Sequence, residues 1–195
     1  MERLHRFSID AIAPTPWKNG GGTTRELVSK PTDAGSDFDW RVSIATIDAA
    51  GPFSPFPGVD RTIMLLAGDG VRLTVSGMVD HLLNRPFVPF SFSGDWTLQC
   101  VPLGGSSTDF NVMTRREKFE SEVYVVSETC DIAPAAHGML LAVSGTWAIS
   151  NDETSVPIEA RVGGWWQNAP YAWRATPQDD GAKLIVVRIL ERRTP

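Results

Sequence analysis

Alternation of apolar and polar residues with a period of two is the feature that most limits what this chain can fold into. In residues 38–44, large apolar side chains occupy every second position, and Asp39, Arg41 and Ser43 lie between them. This pattern predicts a half-buried β-strand with the three polar residues on one face. Residues 109–115 alternate in the same way, which puts on one face Asp109, Asn111, Met113 and Arg115.

The rest of the chain also has the pattern of strands separated by turns. Residues 122–126 and 183–190 are rich in β-branched side chains, which are typical of buried strands. Glycine and proline supply 17 and 14 of the 195 residues, and clusters of small polar residues separate the apolar runs. Helical spacing is not found over any ten residues, so the sequence predicts an all-β sandwich or barrel.

A weak internal repeat indicates two similar halves. Residues 64–70 resemble residues 139–145, and Trp96 has a counterpart in Trp173, 77 positions later. Two hydrophobic strands that share four letters by chance would explain the first match equally well. A true repeat predicts two small β-barrels, at 1–116 and 117–195, with strands exchanged between the halves.

Composition and charge exclude several classes of protein. The hydrophobic fraction of 42% and the charged fraction of 21% are those of a globular chain. The net charge of −5 argues against a nucleic-acid partner, because such proteins normally present a basic face. The apolar runs are too short to span a membrane, and residues 1–17 lack the apolar segment of a secretory signal. We therefore expect a cytoplasmic protein with no membrane partner.

Familiar catalytic and metal-binding motifs are missing from the sequence. His5, His81 and His137 are far apart, and neither H-x-H nor C-x-x-C occurs. Cys100 and Cys130 cannot supply a disulfide framework or a four-cysteine zinc site. We expect no metal and no cofactor.

The densest motif is the glycine-rich segment 15–27. It is not a phosphate-binding loop, since the Gly-Lys-Ser/Thr ending is missing and the last glycine of a G-x-G-x-x-G pattern would fall on Arg25. One interpretation is a tight turn into a strand that starts near Thr24. The other is a close backbone approach to a ligand, with a polar lining from Lys18, Asn19, Thr24 and Glu26.

Two arginines lie in the middle of predicted strands. An arginine in the middle of a strand is unusual unless it lies on a solvent-exposed face of the sheet or contacts an anion, and this applies to Arg41 and Arg115. The planar guanidinium group binds carboxylates through two hydrogen bonds. The alternative is a salt bridge to a nearby aspartate, for which the candidates are Asp39, Asp60, Asp95 and Asp109.

Six blocks of sequence resemble, in order, the signature of the HutD/Ves family. They cover most of the first 116 residues, and the second half matches more loosely at 138–145 and in the last strand. The six blocks are residues 16–27, 40–45, 53–61, 66–70, 90–95 and 109–113.

The resemblance implies a bicupin, which is a chain with two cupin-type barrels. Family members associated with histidine utilisation are thought to bind a pathway intermediate such as N-formylglutamate or urocanate, and others are linked to stress. No established reaction comes with the family. Metal-dependent cupins hold their ion near an H-x-H motif, which this sequence lacks.

Carried onto this sequence, the resemblance implies a ligand pocket in the N-terminal barrel. Arg41, with Lys18 or Arg61, would bind a small-molecule carboxylate. Hydrogen bonds would come from Asn19, Ser43 and Asn111, and apolar walls from Trp17 and Phe92. The full set of candidate ligand-binding residues is Trp17, Lys18, Asn19, Glu26, Arg41, Ser43, Asp60, Arg61, Phe92, Asp109, Asn111 and Arg115.

Three hypotheses about function remain open at this point. The favoured one is metal-free binding of a small acid without turnover, with a regulatory role. The second is an isomerase or hydrolase that uses Glu26, Asp60 or Asp109 as acid or base. The third is a stress-related protein-interaction module, whose tryptophans and apolar 53–56 tip would be exposed anchors. A homodimer is compatible with all three.

Overall fold

The computed structural model describes residues 4–32 and 37–192, which form two compact units. Residues 13–120 make up the first unit, and residues up to 12 join residues from 121 onward in the second. Among the described residues, the helical structure is a single 3₁₀ turn, Ile9–Ala11. The predicted all-β fold is therefore confirmed.

The first unit is built from ten strands in two sheets. The strands are β2 (Thr15–Pro16), β3 (Gly22–Pro31), β4 (Phe38–Ile47), β5 (Gly51–Pro52), β6 (Val59–Ala67), β7 (Val71–Val75), β8 (Val79–Leu83), β9 (Phe90–Ser93), β10 (Gln99–Pro102) and β11 (Ser107–Arg115). The larger sheet has the order β2-β3-β4-β11-β6-β9, and the smaller has the order β5-β10-β7-β8.

One core of the first unit contains residues of both sheets. Ile47, Ile63 and Leu65 come from the larger sheet, and Leu73 and Cys100 come from the smaller one. Strand β4 departs from the prediction of a half-buried strand, because Asp39 and Ser43 are as deeply buried as the apolar residues between them. Both faces of β4 are covered.

The second unit has the same plan. Its strands are β1 (His5–Ser8), β12 (Phe119–Val126), β13 (Cys130–Ala135), β14 (His137–Ser144), β15 (Trp147–Ser150), β16 (Ser155–Ile158), β17 (Val162–Trp166), β18 (Tyr171–Pro177) and β19 (Lys183–Glu191). The larger sheet has the order β1-β17-β14-β19-β12, and the smaller sheet has the order β13-β18-β15-β16.

Matching strand orders give the internal repeat a structural basis. The run β4-β11-β6-β9 in one unit corresponds to β12-β19-β14-β17 in the other, and the two smaller sheets correspond strand for strand. The repeated sequences begin in β6 and β14, which are equivalent strands. Trp173 lies in β18, whereas Trp96 lies in the turn before β10, the equivalent strand. The tryptophan match is therefore less exact than the strand match.

The structure divides the chain at a different place from the proposed 116/117 boundary. The division falls between residues 120 and 121, just inside β12. The first strand also belongs to the second unit, because His5–Ser8 pair antiparallel with 162–165 of β17. This pairing joins residues about 160 positions apart, which local sequence patterns do not reveal. No helix in the described part of the chain is long and apolar enough to cross a membrane.

Candidate functional site

A cavity of about 560 Å³ opens in the first unit on one face of the larger sheet. Its walls come from β3, β4, β6 and β11, from the segment before β3 and from the loop that follows β5. The lining residues are Thr15, Pro16, Trp17, Lys18, Asn19, Thr24, Glu26, Arg41, Ser43, Ala45, Ile47, Pro52, Phe53, Ser54, Phe56, Arg61, Asn111 and Met113.

The glycine-rich segment forms a turn that brings polar side chains to the wall of this cavity. The N–H of Gly20 donates to the carbonyl of Trp17 at 3.0 Å, and Gly20 has a φ of +72°, a conformation that favours glycine. Gly22 has no room for a side chain, because a Cβ there would lie 2.2 Å from the Thr46 carbonyl oxygen. Both interpretations of the motif therefore hold in part, since a tight turn also supplies Asn19 to the cavity.

Strand register places two arginines on either side of a methionine. Met113 of β11 pairs with Arg41 of β4 on one side and with Arg61 of β6 on the other. Paired residues of neighbouring strands point to the same face, and two strand spacings separate the arginine backbones by roughly 10 Å. Both guanidinium groups therefore reach into the same cavity.

Neither arginine is paired with a carboxylate among the described residues. An Nη2 of Arg61 donates to Oδ1 of Asn111 at 3.4 Å, and an Nη2 of Arg41 approaches the sulfur of Met113 at 3.3 Å. The Nε atom of each arginine is buried and without an acceptor. These are weak partners for two charges, because a buried guanidinium normally requires a hydrogen-bonded anion.

Aromatic rings hold the two guanidinium groups in place. The Arg61 guanidinium carbon lies 5.1, 5.5 and 5.0 Å from the ring centres of Phe53, Phe56 and Phe92. Phe56 also contacts Arg41, whose guanidinium carbon is 5.4 Å from the ring centre. Cation–π contacts orient the guanidinium groups but do not neutralise their charge.

Burial lowers the pKa values of both arginines. Burial, and then the positive charge of Arg41, lower the pKa of Arg61 to about 9. Burial also lowers the pKa of Arg41, against the opposing charges of Glu26 and Asp37. The cavity wall therefore carries a positive charge that a bound anion would stabilise.

Eight of the twelve candidate ligand-binding residues line the cavity together. These eight residues are Trp17, Lys18, Asn19, Glu26, Arg41, Ser43, Arg61 and Asn111. The other four do not line it: Asp60, Phe92, Asp109 and Arg115.

Asp60 and Arg115 are held in ion pairs away from the cavity. Asp60 precedes Arg61 in β6 and therefore points to the opposite face, where Arg116 donates to it at 2.6 Å. Arg115 lies at the end of β11 and donates to Asp37 at 2.5 Å. For Arg115 the salt-bridge alternative is correct, but with an aspartate outside the expected set.

Phe92 does not line the cavity, but its ring contacts the guanidinium group of Arg61, which does. Asp109 shares the interior face of β11 but lies two residues before Asn111 in the strand. It is paired with Ala45 and Leu65, is fully buried, and has no hydrogen-bond partner for either oxygen among the described residues. Burial raises the pKa of Asp109 to about 7.

Ten lining residues lie outside the set of twelve candidates, although Thr24 among them was expected in the polar lining of the glycine-rich segment. Some of the others could have been predicted from the strand alternation. Ala45 and Ile47 continue the alternation of Arg41 and Ser43 along β4, and Met113 shares the face of Asn111. The apolar loop tip folds inward, since Phe53 is 9% exposed and Phe56 is half-buried. All seven tryptophans are buried or half-buried as well, so these rings do not form the exposed anchor surface of the interaction hypothesis.

The donor set of the cavity does not fit a metal ion. Its lining contains no histidine or cysteine, and Glu26 is its one carboxylate. No group of three or more histidine, cysteine, aspartate or glutamate side chains is placed to hold a metal within residues 4–32 and 37–192.

Comparison with curated proteins and protein families places the chain among known relatives. The HutD family model matches residues 10–184. Protein Ves of Cronobacter sakazakii is 36% identical over 169 residues, which cover 86% of this chain and 90% of that protein. An uncharacterised 21.2 kDa protein from the hutC 3′ region of Pseudomonas putida is 39% identical over 141 residues, covering 72% of this chain and 74% of that one.

Solved structures agree with the family and with the fold. HutD from Pseudomonas fluorescens SBW25, solved in a formate condition, has a TM-score of 0.84 at 25% identity and covers 97% of this chain and 100% of its own. Oxalate decarboxylase from Lactobacillus farciminis has a TM-score of 0.67 at 9% identity, with 100% of this chain and 87% of that chain covered. The second likeness shows the cupin fold alone. The chain belongs to the HutD family.

Proposed function

We propose that this protein binds a small carboxylate of histidine degradation, N-formylglutamate or urocanate, without turnover and as part of the regulation of that pathway. The observation that carries the proposal is the pair Arg41 and Arg61. Both guanidinium groups reach one cavity, and neither has a carboxylate partner in the described parts of the chain. An anionic ligand would supply the missing partner.

The cavity has the composition of a small-molecule site. Its volume lies within the range of roughly 300–1,000 Å³ that is usual for such pockets. Phe53, Phe56 and Ile47 give it apolar walls, and Ser43 and Asn111 supply polar groups for an amide, formyl or imidazole. N-Formylglutamate carries two carboxylates, one for each arginine, whereas urocanate would place one carboxylate between them.

The family supports the choice of pathway. One relative comes from a hutC 3′ region, and a structural neighbour is named HutD. Binding is favoured over acid–base catalysis because the three carboxylates considered for catalysis are not assembled. Glu26 lies on the wall, Asp60 is held by Arg116 on the opposite face of its strand, and Asp109 lies outside the lining.

Isothermal titration calorimetry tests the proposal directly. The purified protein is titrated with N-formylglutamate, urocanate and glutamate, and each mixture is then examined by NMR for product. We expect saturable binding of one of the first two, much weaker binding of glutamate, and unchanged ligand after prolonged incubation. Turnover of either intermediate would replace the binding function with an enzymatic one.

A pair of arginine variants locates the site. Loss of a charge-assisted hydrogen bond costs about 1.5–3 kcal/mol, so Arg41→Ala should weaken binding roughly 10- to 100-fold. The control is Arg72→Ala, which removes an exposed arginine that pairs with Asp80. Equal affinity for Arg41→Ala and the unmodified protein would remove the arginine pair from the site.

A further inference from the structure

Asp109 is a buried titratable group that the proposed binding mode does not use. It lies on the same face of the sheet as the cavity, but its neighbours across the sheet are Ala45 of β4 and Leu65 of β6. Neither carboxyl oxygen receives a hydrogen bond from any described residue. A carboxylate in such a place is unstable, so the group binds a proton readily.

The titratable and charged groups that face Asp109 come from the neighbouring strands. Cys100 of β10 is close enough to Asp109 for the two groups to interact. Burial, and then the negative charge of Asp109, raise the pKa of the Cys100 thiol to about 12. Cys100 therefore stays neutral at physiological pH. Three charged residues of the sheet line the cavity on this face: Glu26 of β3, Arg41 of β4 and Arg61 of β6. Arg115 lies further along the same face of β11, where it is ion-paired with Asp37.

Strand geometry fixes how far Asp109 is from the arginine pair. Asn111, which lines the cavity, is two residues along β11, or about 7 Å, and Met113 between the arginines is about 13 Å away. An anion held between the arginines would lie on the order of 10 Å from the Asp109 carboxyl. At an effective dielectric constant of about 20, one unit charge at that distance changes the proton affinity of a carboxyl about tenfold.

We propose that Asp109 is a proton-binding site coupled to the anion site, so that ligand binding at Arg41 and Arg61 is accompanied by uptake of a proton on Asp109. The negative charge of a bound anion disfavours ionised Asp109 and therefore favours the protonated carboxyl. By linkage, the proton strengthens anion binding by the same factor. This inference rests on the proposed function, because it requires an anion in the cavity.

The sign and size of the effect follow from the placement. In the ligand-free protein the pKa of Asp109 is about 7, so the pH dependence of binding should fall near neutral pH. Affinity should rise about fivefold as the pH falls from 8 to 6, and binding at pH 7 should take up about 0.4 proton. Titration of Arg61 would weaken binding only at higher pH, since its pKa is about 9.

Calorimetry in two buffers measures the proton directly. N-Formylglutamate is titrated into the protein at pH 7 in PIPES and in imidazole, which differ in ionisation enthalpy, at one ionic strength. The expected result is a buffer-dependent heat that corresponds to about 0.4 proton taken up. Asp109→Asn should bind the ligand with no buffer dependence, while the control Asp80→Asn, at an exposed ion pair with Arg72, should behave like the unmodified protein.

Each outcome separates this inference from the proposed function. Binding by the unmodified protein with no proton uptake overturns the coupling, and this needs no variant to fold. Binding with equal uptake in Asp109→Asn assigns the proton elsewhere and also overturns it. If neither N-formylglutamate nor, in a parallel titration, urocanate binds at all, the proposed function fails and the coupling fails with it.

Discussion

Replacement of Asp109 by asparagine should change how the stability of the protein depends on pH. Asparagine has nearly the same shape but cannot ionise. In the folded protein the pKa of Asp109 is raised to about 7, from 3.8 for the ordinary group. Because the folded pKa is the higher one, its contribution to stability is fully present at low pH. It is lost as the pH rises through 7.

The size of the loss follows from the two pKa values. Their difference corresponds to about 4 kcal/mol of unfolding free energy over the whole titration. About 2.5 kcal/mol of this is lost between pH 5 and pH 8, where Asp109 is already ionised in the unfolded chain and becomes ionised in the folded protein. Asparagine adds a buried amide with its own cost, so the change with pH is the informative quantity.

Urea unfolding at several pH values measures this dependence. The unfolding free energies of the unmodified protein and of Asp109→Asn are compared at pH 5, 6, 7 and 8. We expect the variant to gain about 2.5 kcal/mol relative to the unmodified protein between the two ends of the series. Asp80→Asn, at an exposed carboxylate whose pKa is lowered by its hydrogen bond from Arg72, should show no such gain. A constant difference between Asp109→Asn and the unmodified protein across the series would refute a buried carboxyl that ionises near pH 7.

Three further predictions concern the cavity and the turn beside it. Arg61→Met should raise the unfolding free energy of the ligand-free protein by at least about 1 kcal/mol while weakening N-formylglutamate binding, because Arg61 is 7% exposed and has no anionic partner in the described chain; a less stable variant in urea unfolding would contradict this. Gly22→Ala should lower the thermal midpoint by several degrees, since its Cβ would lie 2.2 Å from the Thr46 carbonyl oxygen. Gly77→Ala should lower it less, because position 77 has room for a Cβ and the substitution is disfavoured only by its positive φ of +72°. Equal midpoints of the two variants in calorimetric scans would count against the close approach at Gly22. Binding of N-formylglutamate should weaken by less than tenfold between 0.05 and 0.5 M NaCl, because buried charges are screened less than exposed ones; a steeper loss in calorimetry would place the ligand at the surface.

Local patterns were enough to predict the strands and much of the cavity. Alternation along β4 correctly grouped Arg41 with Ser43, and alternation along β11 correctly grouped Asn111 with Asp109. The same rule could have excluded Asp60, since adjacent residues of a strand point to opposite faces and Arg61 lines the cavity. A pattern of period two therefore carries more information about the site than the individual motifs.

Contacts between distant residues could not be predicted in this way. Arg115 is paired with Asp37, 78 residues away, and Phe56 reaches the arginines from a loop. Pairing of β1 with β17 joins opposite ends of the chain. Each of these contacts depends on how the strands assemble. The alternation within a single strand is the same whether or not the contacts form, so it does not reveal them.

A crystal structure of the protein grown with saturating N-formylglutamate is the most direct test of the arginine-lined anion site. We expect ligand in the cavity, with carboxylate oxygens within hydrogen-bond distance of guanidinium nitrogens of both Arg41 and Arg61. Ligand bound elsewhere, or a cavity without ligand at a concentration that saturates binding in solution, would contradict the assignment of this cavity as the binding site.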